Sequence, residues 1–498
     1  MEQRPKNESY WNDTARQTNY PTLSADLETD IVIIGGGIVG VTTARLLADQ
    51  GIRVVVLEAQ KIGRQATGRS TAKVTSQHGL LYQKLEHKFN LRQALIYAEA
   101  QEYGLAEIRR LTEKYNIDCD LEQADAYTYT CLAEHRAELE KEAGLAEKLG
   151  LPASLVKDTE LPFQVVGAVL YERQASFHPT RYVIGLAETL AQDGCEIYEN
   201  SAVLEWEPNL VKTRSGSVKA KHVVMATHLP LGMVGGYYTR AFPDAEPVIA
   251  APIKQKLTGM YINVETPSYS IRTHQHENGQ TYAIVTGTRY KPGDTVAEQK
   301  NFADIENWLR QNFGAETISH RWTNEDYTSM DSAPFVGWSS TIGEDYLVAT
   351  GFAGWGLTNG TAAAMMIRDL IMNKDNPWQE LFNAKRIKPL AGGAKVLKES
   401  AAVVANLAKG HLGTHPQVTE DLLPGEAGVR KYDGDKFAVY RDEEDQLHIV
   451  SAVCTHMGCV LGWNATDKTW DCSCHGSRFA LDGTVLHGPA VEPLQRYR

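Results

Sequence analysis

DIVIIGGGIVGVTTARLLADQGIRVVVLE, residues 30–58, is the stretch that decides how this chain folds. Ile31 to Ile34 are a short apolar run of the kind that forms a buried parallel strand. Gly35, Gly37 and Gly40 follow at G-x-G-x-x-G spacing, and Val41, Ala44, Leu47 and Ala48 then mark one stripe of a helix that ends before Gly51. Arg53 to Leu57 form a second apolar strand closed by Glu58. Each part has a physical reason. The first glycine permits a tight turn, the second lets the backbone approach a pyrophosphate, and the third allows the helix to pack closely on the strand. The helix N-terminus offers free N–H groups and the positive end of its dipole to phosphate. Glu58, 18 residues past Gly40, stands where an acid accepts hydrogen bonds from the adenosine ribose of a dinucleotide.

Outward from this stretch, the chain of 498 residues is long enough for about three domains. With 43% hydrophobic and 22% charged residues it has the balance of a globular protein with sizeable cores. A net charge of −12 argues against a nucleic-acid or anionic-membrane partner. No apolar run is long enough to span a bilayer, and MEQRPKNESYWNDTARQ lacks the apolar core of a signal peptide, so a cytoplasmic location is expected. Residues 1–27 read as a polar lead-in draped over the surface.

After Glu58 comes KIGRQATGRSTAKVTSQHG, whose Gly, Ser, Thr and cations can offer N–H groups and hydroxyls to a phosphate; Ala66, Thr67, Ser70 and Thr71 are its candidates. Residues 81–150 are helical in texture. His178-Pro179 opens another helix, and the strand Val223 to Thr227 can lie beside the first strand, with Ala226 near the cofactor. Alternation over 245–325 suggests an antiparallel sheet. DYLVATGFAGWGLTNGTAAAMMIRDLIM then supplies a strand, a glycine-rich turn and a second helix N-terminus able to face a heteroaromatic ring. The segment 393–410, with Val396, Leu397, Val403, Val404 and Leu407, reads as a packed connector helix.

These pieces together resemble the FAD-dependent D-amino-acid oxidase and glycine oxidase superfamily, in its gamma-glutamylputrescine-oxidoreductase-like branch. The resemblance covers residues 28 to about 375 and is carried by Tyr20-Pro21, the glycine fingerprint, Glu58, the ATGRST segment, His178-Pro179, the MATH strand, and the D-x-x-P-x-x-G and GFAGWGLT signatures. It implies FAD, with its pyrophosphate on Gly35, Gly37, Ile38, Val39 and Gly40 and its flavin at Gly354, Gly356, Leu357 and Thr358. Where some relatives carry a lysine in this last turn to hold a substrate carboxylate, this chain has Thr358. The implied architecture is an α/β Rossmann-like FAD-binding domain (about 28–80, 170–235 and 330–375) with an α+β substrate domain on an antiparallel sheet (about 81–169 and 236–329). Arg272 and Trp355 are candidates for gripping substrate and walling its pocket.

Cysteine usage singles out a second centre. Cys119, Cys131 and Cys195 are scattered, whereas four of the seven cysteines fall within residues 454–474, in CTHMGC and CSCHGS. Zinc is the first alternative for any such crowd. The C-x-H and C-x-x-H halves, each with an extra cysteine, closely resemble the small all-β Rieske [2Fe–2S] domain, here residues 416–498 after a 376–415 connector. The resemblance implies Cys454, His456, Cys472 and His475 as cluster ligands, and a disulfide between Cys459 and Cys474. High-potential members have a tyrosine two residues after the serine of CHGS; this chain has Ser477 followed by Phe479. No second nucleotide fingerprint for NAD(P) and no 2-His-1-carboxylate site is legible, so the unit is expected to transfer electrons rather than activate oxygen.

The expected activity is oxidation of a small-molecule amine or amino acid by hydride transfer to FAD. Electrons would then leave one at a time through the cluster to an external acceptor, a protein or a quinone. Reversed flow into a flavin reductase or monooxygenase is the alternative enzyme, and a redox sensor or electron-transfer partner module the non-enzymatic one.

Overall fold

Strand Leu27–Ile34 lies inside an eight-stranded sheet, with Val54–Leu57 parallel on one side and Ser217–Met225 parallel on the other. Glu196–Tyr198 and Glu344–Thr350 extend the parallel array outward, and Phe335–Thr341 closes one edge antiparallel. Ile31 to Ile34 and Val54 to Leu57 are all buried, as both-face burial of a parallel sheet requires. Helix Ile38–Ala48 packs so closely after the turn that a Cβ on Gly40 would stand 1.9 Å from Gly35 O. Gly35 itself has φ +110°, and a Cβ there would meet Ala226 O at 2.4 Å, so only glycine lets the MATH strand come alongside. The computed structural model describes residues 4–341, 344–386, 422–432 and 434–497 (side chains of 340–345 apart). The connector helix expected over 393–410 lies outside them.

A nine-stranded sheet forms the second layer system. Ala241–Ile253 pairs antiparallel with His320–Ser329 and with Thr281–Thr286, and the sheet continues through Ser270–Gln275 and Met260–Asn263 to Glu122–Thr130 and Gly167–Ser176. Lys73–Val74 forms its far edge. Two expected boundaries move. Residues 170–176, assigned by sequence to the FAD-binding half, belong to this sheet. Conversely, helix Leu91–Lys114, assigned to the substrate half, packs on helix Gly356–Ile371, where a Cβ on Gly104 would be 2.5 Å from Thr358 O. Helical periodicity reports that a face is buried, not which neighbour buries it.

The lead-in is not draped over the surface. Ser9 caps the short helix Tyr10–Asp13, and Tyr10 and Trp11 are buried in the main core. Trp11 Nε1 donates to Ser70 O at 2.9 Å and Asn12 Nδ2 to Arg64 O at 2.9 Å, so the lead-in buttresses the 64–70 loop from behind. Two large aromatic side chains outweigh the polar residues around them, since burying each removes far more apolar area than the lead-in's short polar groups cost when hydrogen-bonded.

The C-terminal unit consists of two four-stranded sheets, Ala427–Tyr432, Asp435–Arg441, Leu447–Ser451 and Arg496–Tyr497 in one, and Leu461–Asn464, Thr469–Cys472, Arg478–Phe479 and Val485–His487 in the other. It is seated on the rest of the chain by buried charges. Arg478 donates to Asp467 at 2.9 Å and to Asp471 within its own unit, and to Thr323 at 2.9 Å and Glu325 at 3.1 Å across the interface. Arg69 pairs with Asp467 from the other side. Burial, against the pull of Arg478, raises the Glu325 carboxyl to about 8. Removing one partner of such a network leaves an uncompensated buried charge, which costs about 3–5 kcal/mol. Close backbone approach adds to the fit, for a Cβ on Gly462 would lie 2.1 Å from Gly293 O.

Candidate functional site

One cavity gathers most of the residues singled out from the sequence. Gly35, Gly37, Ile38 and Val39 line it from the fingerprint turn, and Glu58 from the end of the second strand. Ala66, Thr67, Ser70 and Thr71 line it from the following loop, Ala226 from the MATH strand, and Gly354, Trp355, Gly356 and Leu357 from the second glycine-rich turn. Two expected cofactor contacts are not on its wall. Gly40 faces the turn it packs against. Thr358 is buried in the first turn of helix Gly356–Ile371, its hydroxyl donating to Thr75 O at 3.2 Å and lying 3.3 Å from His78 Nε2.

Glu58 accepts from Gly36 N–H at 2.7 Å and from Gln60 N–H at 2.8 Å. Burial raises its carboxyl, and these N–H groups oppose the rise. A carboxylate has about four acceptor sites, so acceptor capacity remains for a hydroxyl in the cavity. Thr67 Oγ1 accepts from Ile38 N–H at 3.0 Å, tying the ATGRST segment to the helix N-terminus that faces the same space. Elsewhere on the lining, Gly354 N–H donates to Asp326 at 2.5 Å, and His228 Nε2–H donates to Asp326 at 3.0 Å. A dinucleotide with a flavin fits this lining, which combines an acid, a helix N-terminus and a second, glycine-rich helix start.

Arg272 is not on the cavity wall. Its guanidinium is buried, donates to Ala72 O at 2.8 Å and Phe177 O at 3.0 Å, and lies 5.0 Å over the Trp11 ring. It therefore anchors the segment leading to Lys73 rather than offering itself to a substrate. Lys73, which sequence reasoning passed over as one cation among several in a polar loop, does line the cavity. Burial, reinforced by the charge of Arg272, pulls its ammonium down to about 7. Nζ is held by Tyr261 O at 2.9 Å and by the Ser270 hydroxyl. Trp355 stacks on His78 with centroids 4.4 Å apart, which fixes its ring as part of the wall.

The second centre lies in two loops of the C-terminal unit, and Cys459 and Cys474 form a disulfide between them. Among the described residues the sulfurs of Cys459, Cys472 and Cys474 lie within 4.8 Å of one another, but two of these are bonded together, so that trio is no metal site. Cys454 and Cys472 are free and buried. A hydrogen bond from Cys472 lowers the Cys454 thiol and correspondingly raises Cys472. His456 and His475 stand with centroids 4.9 Å apart at 86°, and the Nδ1 of each is buried with no partner. His456 Nε2–H donates to Gly232 O at 3.1 Å, which leaves Nδ1 as the atom with a free lone pair. Burial keeps both imidazoles neutral, with His475 lowered to about 4. Two thiols and two orphaned imidazole nitrogens are the donor set that a [2Fe–2S] cluster with mixed ligation needs. Gly476 has φ +75°, and a Cβ there would press on Tyr327 Oη at 2.5 Å, so this loop can approach the neighbouring sheet only as glycine.

Residues 30–370 match the family described as FAD dependent oxidoreductase, and residues 417–498 match the Rieske [2Fe-2S] domain. The chain therefore belongs to the FAD-dependent oxidoreductases and carries a C-terminal Rieske domain, with FAD and a [2Fe–2S] cluster as its cofactors. It is 35% identical over 497 residues, 98% of this chain and 97% of the relative, to the "Putative Rieske 2Fe-2S iron-sulfur protein YhfW" of Bacillus subtilis (strain 168). Gamma-glutamylputrescine oxidoreductase of Escherichia coli (strain K12) is 25% identical over 394 residues, 75% of this chain and 90% of that protein. The crystal structure of L-proline dehydrogenase from P. horikoshii superposes with a TM-score of 0.58 at 20% identity, covering 72% of this chain and 98% of that one, a likeness of fold. No helix among the described residues is long and apolar enough to cross a membrane.

Tuning of the cluster is a testable consequence of the loop geometry. Ser477 is fully buried, its hydroxyl bonding to Cys454 while accepting from Ala490 N–H at 3.0 Å; Phe479 is fully buried and offers no donor. Donors to cluster-side sulfur stabilise the more negative reduced form and raise the potential. The midpoint is expected in the lower or middle part of the roughly −150 to +300 mV Rieske span. Ser477→Ala should lower it and Phe479→Tyr raise it. Redox titration followed by paramagnetic resonance checks both, and a midpoint near the upper end, or no response to either change, contradicts this account.

Proposed function

We propose that the protein is a dehydrogenase of an amine or amino acid, with electrons passing singly through the Rieske centre to an external acceptor. When bound, FAD supplies hydride acceptance at N5 from the C–H beside nitrogen, and the cluster supplies one-electron acceptance. Cys454, His456, Cys472 and His475 are the proposed ligands. The residues from Gly35 to Val39, Glu58, the 66–71 loop and Gly354 to Leu357 are the proposed FAD contacts. Lys73 takes the place of Arg272 as the group that meets the substrate. With its proton affinity lowered to about 7, it can accept a proton from a substrate ammonium.

The observation that carries this reading is the position of residues 231 and 232. Leu231 lines the cavity, and the carbonyl of the next residue, Gly232, accepts from His456 Nε2–H at 3.1 Å. One peptide unit and one hydrogen bond therefore separate the cavity wall from a proposed cluster ligand. The sequence kinship to gamma-glutamylputrescine oxidoreductase and the fold kinship to L-proline dehydrogenase favour substrates oxidised beside nitrogen. The test is anaerobic. A panel of amines and amino acids is added to the oxidised protein, and flavin absorbance and then the cluster signal are followed. Bleaching of the flavin followed by reduction of the cluster is expected. If no member of the panel bleaches a flavin that dithionite does bleach, the reading is wrong.

A further inference from the structure

The cavity is not built by the flavoprotein half alone. Part of its wall comes from the C-terminal domain, where Val485 to Gly488, Ala490 and Val491 line it from strand Val485–His487 and the chain just beyond. At the Glu58 end, Gln60 Nε2 donates to Leu486 O at 2.9 Å, while Gln60 N–H holds Glu58 itself. At the other end, His487 Nε2 lies 3.3 Å from His228 Nδ1, and His228 holds Asp326, the acceptor for Gly354 N–H. Between them, Gly232 N–H donates to Pro489 O at 3.1 Å, and Val491 packs into the apolar cluster beneath the parallel sheet. The same segment is tied back to the cluster loops, since Ala490 N–H donates to Ser477 Oγ.

From these contacts we infer that residues 485–491 of the Rieske domain are part of the FAD site, so that the cofactor is enclosed between the two redox domains and retained by both. This rests on the assignment of FAD to the cavity in the preceding section. The interface supports a fixed lid rather than a passing contact. The short segment that presents Thr67 to the cavity also carries Arg69, which pairs with Asp467 of the Rieske domain, and Arg478 crosses to Thr323 and Glu325 in buried surroundings. A domain that moved away to deliver its electron would have to break this network and open the cavity in the same motion.

The full-length protein, iron-loaded and stripped of flavin, is compared with the same protein saturated with FAD by hydrogen exchange. Both the fingerprint residues 35–40 and residues 485–491 are expected to exchange at least tenfold more slowly with FAD bound. Slowing at 35–40 with none at 485–491 overturns the inference while leaving the FAD assignment intact. No slowing at either overturns both. A second arm uses Leu486→Glu, which places a carboxylate on the wall of a site for a pyrophosphate-bearing ligand, outside the core that holds the cluster cysteines. FAD affinity, read from the fluorescence of released flavin, should fall tenfold or more with iron content and cluster signal unchanged. Unaltered affinity in that variant overturns the inference.

Discussion

Gly37→Val is expected to purify with two irons per chain and essentially no FAD. Gly37 has φ −82° and ψ −170°, extended backbone that valine adopts without strain. A Cβ at Gly37 finds only Thr67 Oγ1 within contact range, at 3.2 Å, so the protein itself can accept the side chain after a small hydroxyl adjustment. The valine methyls instead fill the space at the start of the fingerprint helix, where a pyrophosphate must come against the backbone. Loss of that approach should weaken FAD by at least roughly a thousandfold, about 4 kcal/mol. The cluster should be unaffected, because its proposed ligands and their core lie within the C-terminal sheets. Gly40 is the contrasting position: with Gly35 O at 1.9 Å from a Cβ, its substitution strikes the fold, not the ligand. Stoichiometric FAD in purified Gly37→Val would show the dinucleotide placement to be wrong.

Lys73→Met should slow flavin reduction by substrate by about 10²–10⁴-fold, the usual worth of a positioned proton acceptor. The sign of its pH dependence follows from the lowered ammonium. Lys73 is free to accept a proton above about 7, so the wild-type rate should climb as pH rises through that value. The methionine variant should lack this limb and respond only to ionisation of the substrate. Stability moves in a defined direction too. Between about 7 and the ordinary lysine value of 10.5, the unfolded chain binds a proton at Lys73 that the folded chain does not. The contribution of Lys73 to stability therefore rises with pH across that window, and its full burial penalty applies below it. Methionine removes the penalty, so the variant should melt higher than wild type at pH 6 and approach it at pH 10. Stopped-flow bleaching across pH with a thermal melt series checks both. A wild-type rate profile retained in Lys73→Met excludes the lysine from the reaction.

Legibility differed from residue to residue for physical reasons. The Gly35, Gly37 and Gly40 triplet, Glu58, and the two Cys/His loops encode their surroundings through covalent spacing within a few residues, which any reader of the chain can measure. Arg272 was singled out and Lys73 was not, because one cation in a strand and one in a polar loop carry no mark of which faces a cavity. Which one faces the cavity depends on pairing between Lys73 and Ser176, and on the Trp11 ring arriving from a lead-in whose polar residues concealed two buried aromatics. Thr358 was placed in the site by its position in the glycine-rich turn, yet the rotation of that helix turns its hydroxyl to Thr75.

By itself, then, the sequence determined the parallel nucleotide-binding sheet, the family, both cofactors and the four donors proposed for the cluster, because each is written in local periodicity or motif spacing. The tertiary structure alone decided that the lead-in buttresses the 64–70 loop, that Lys73 and not Arg272 reaches the cavity, and that residues of the Rieske domain line it. Those relations join residues as far apart as Gln60 and Leu486, or Gly232 and His456. Contacts of that kind depend on which buried faces meet when whole layers pack, and no pattern along one stretch of chain carries that information.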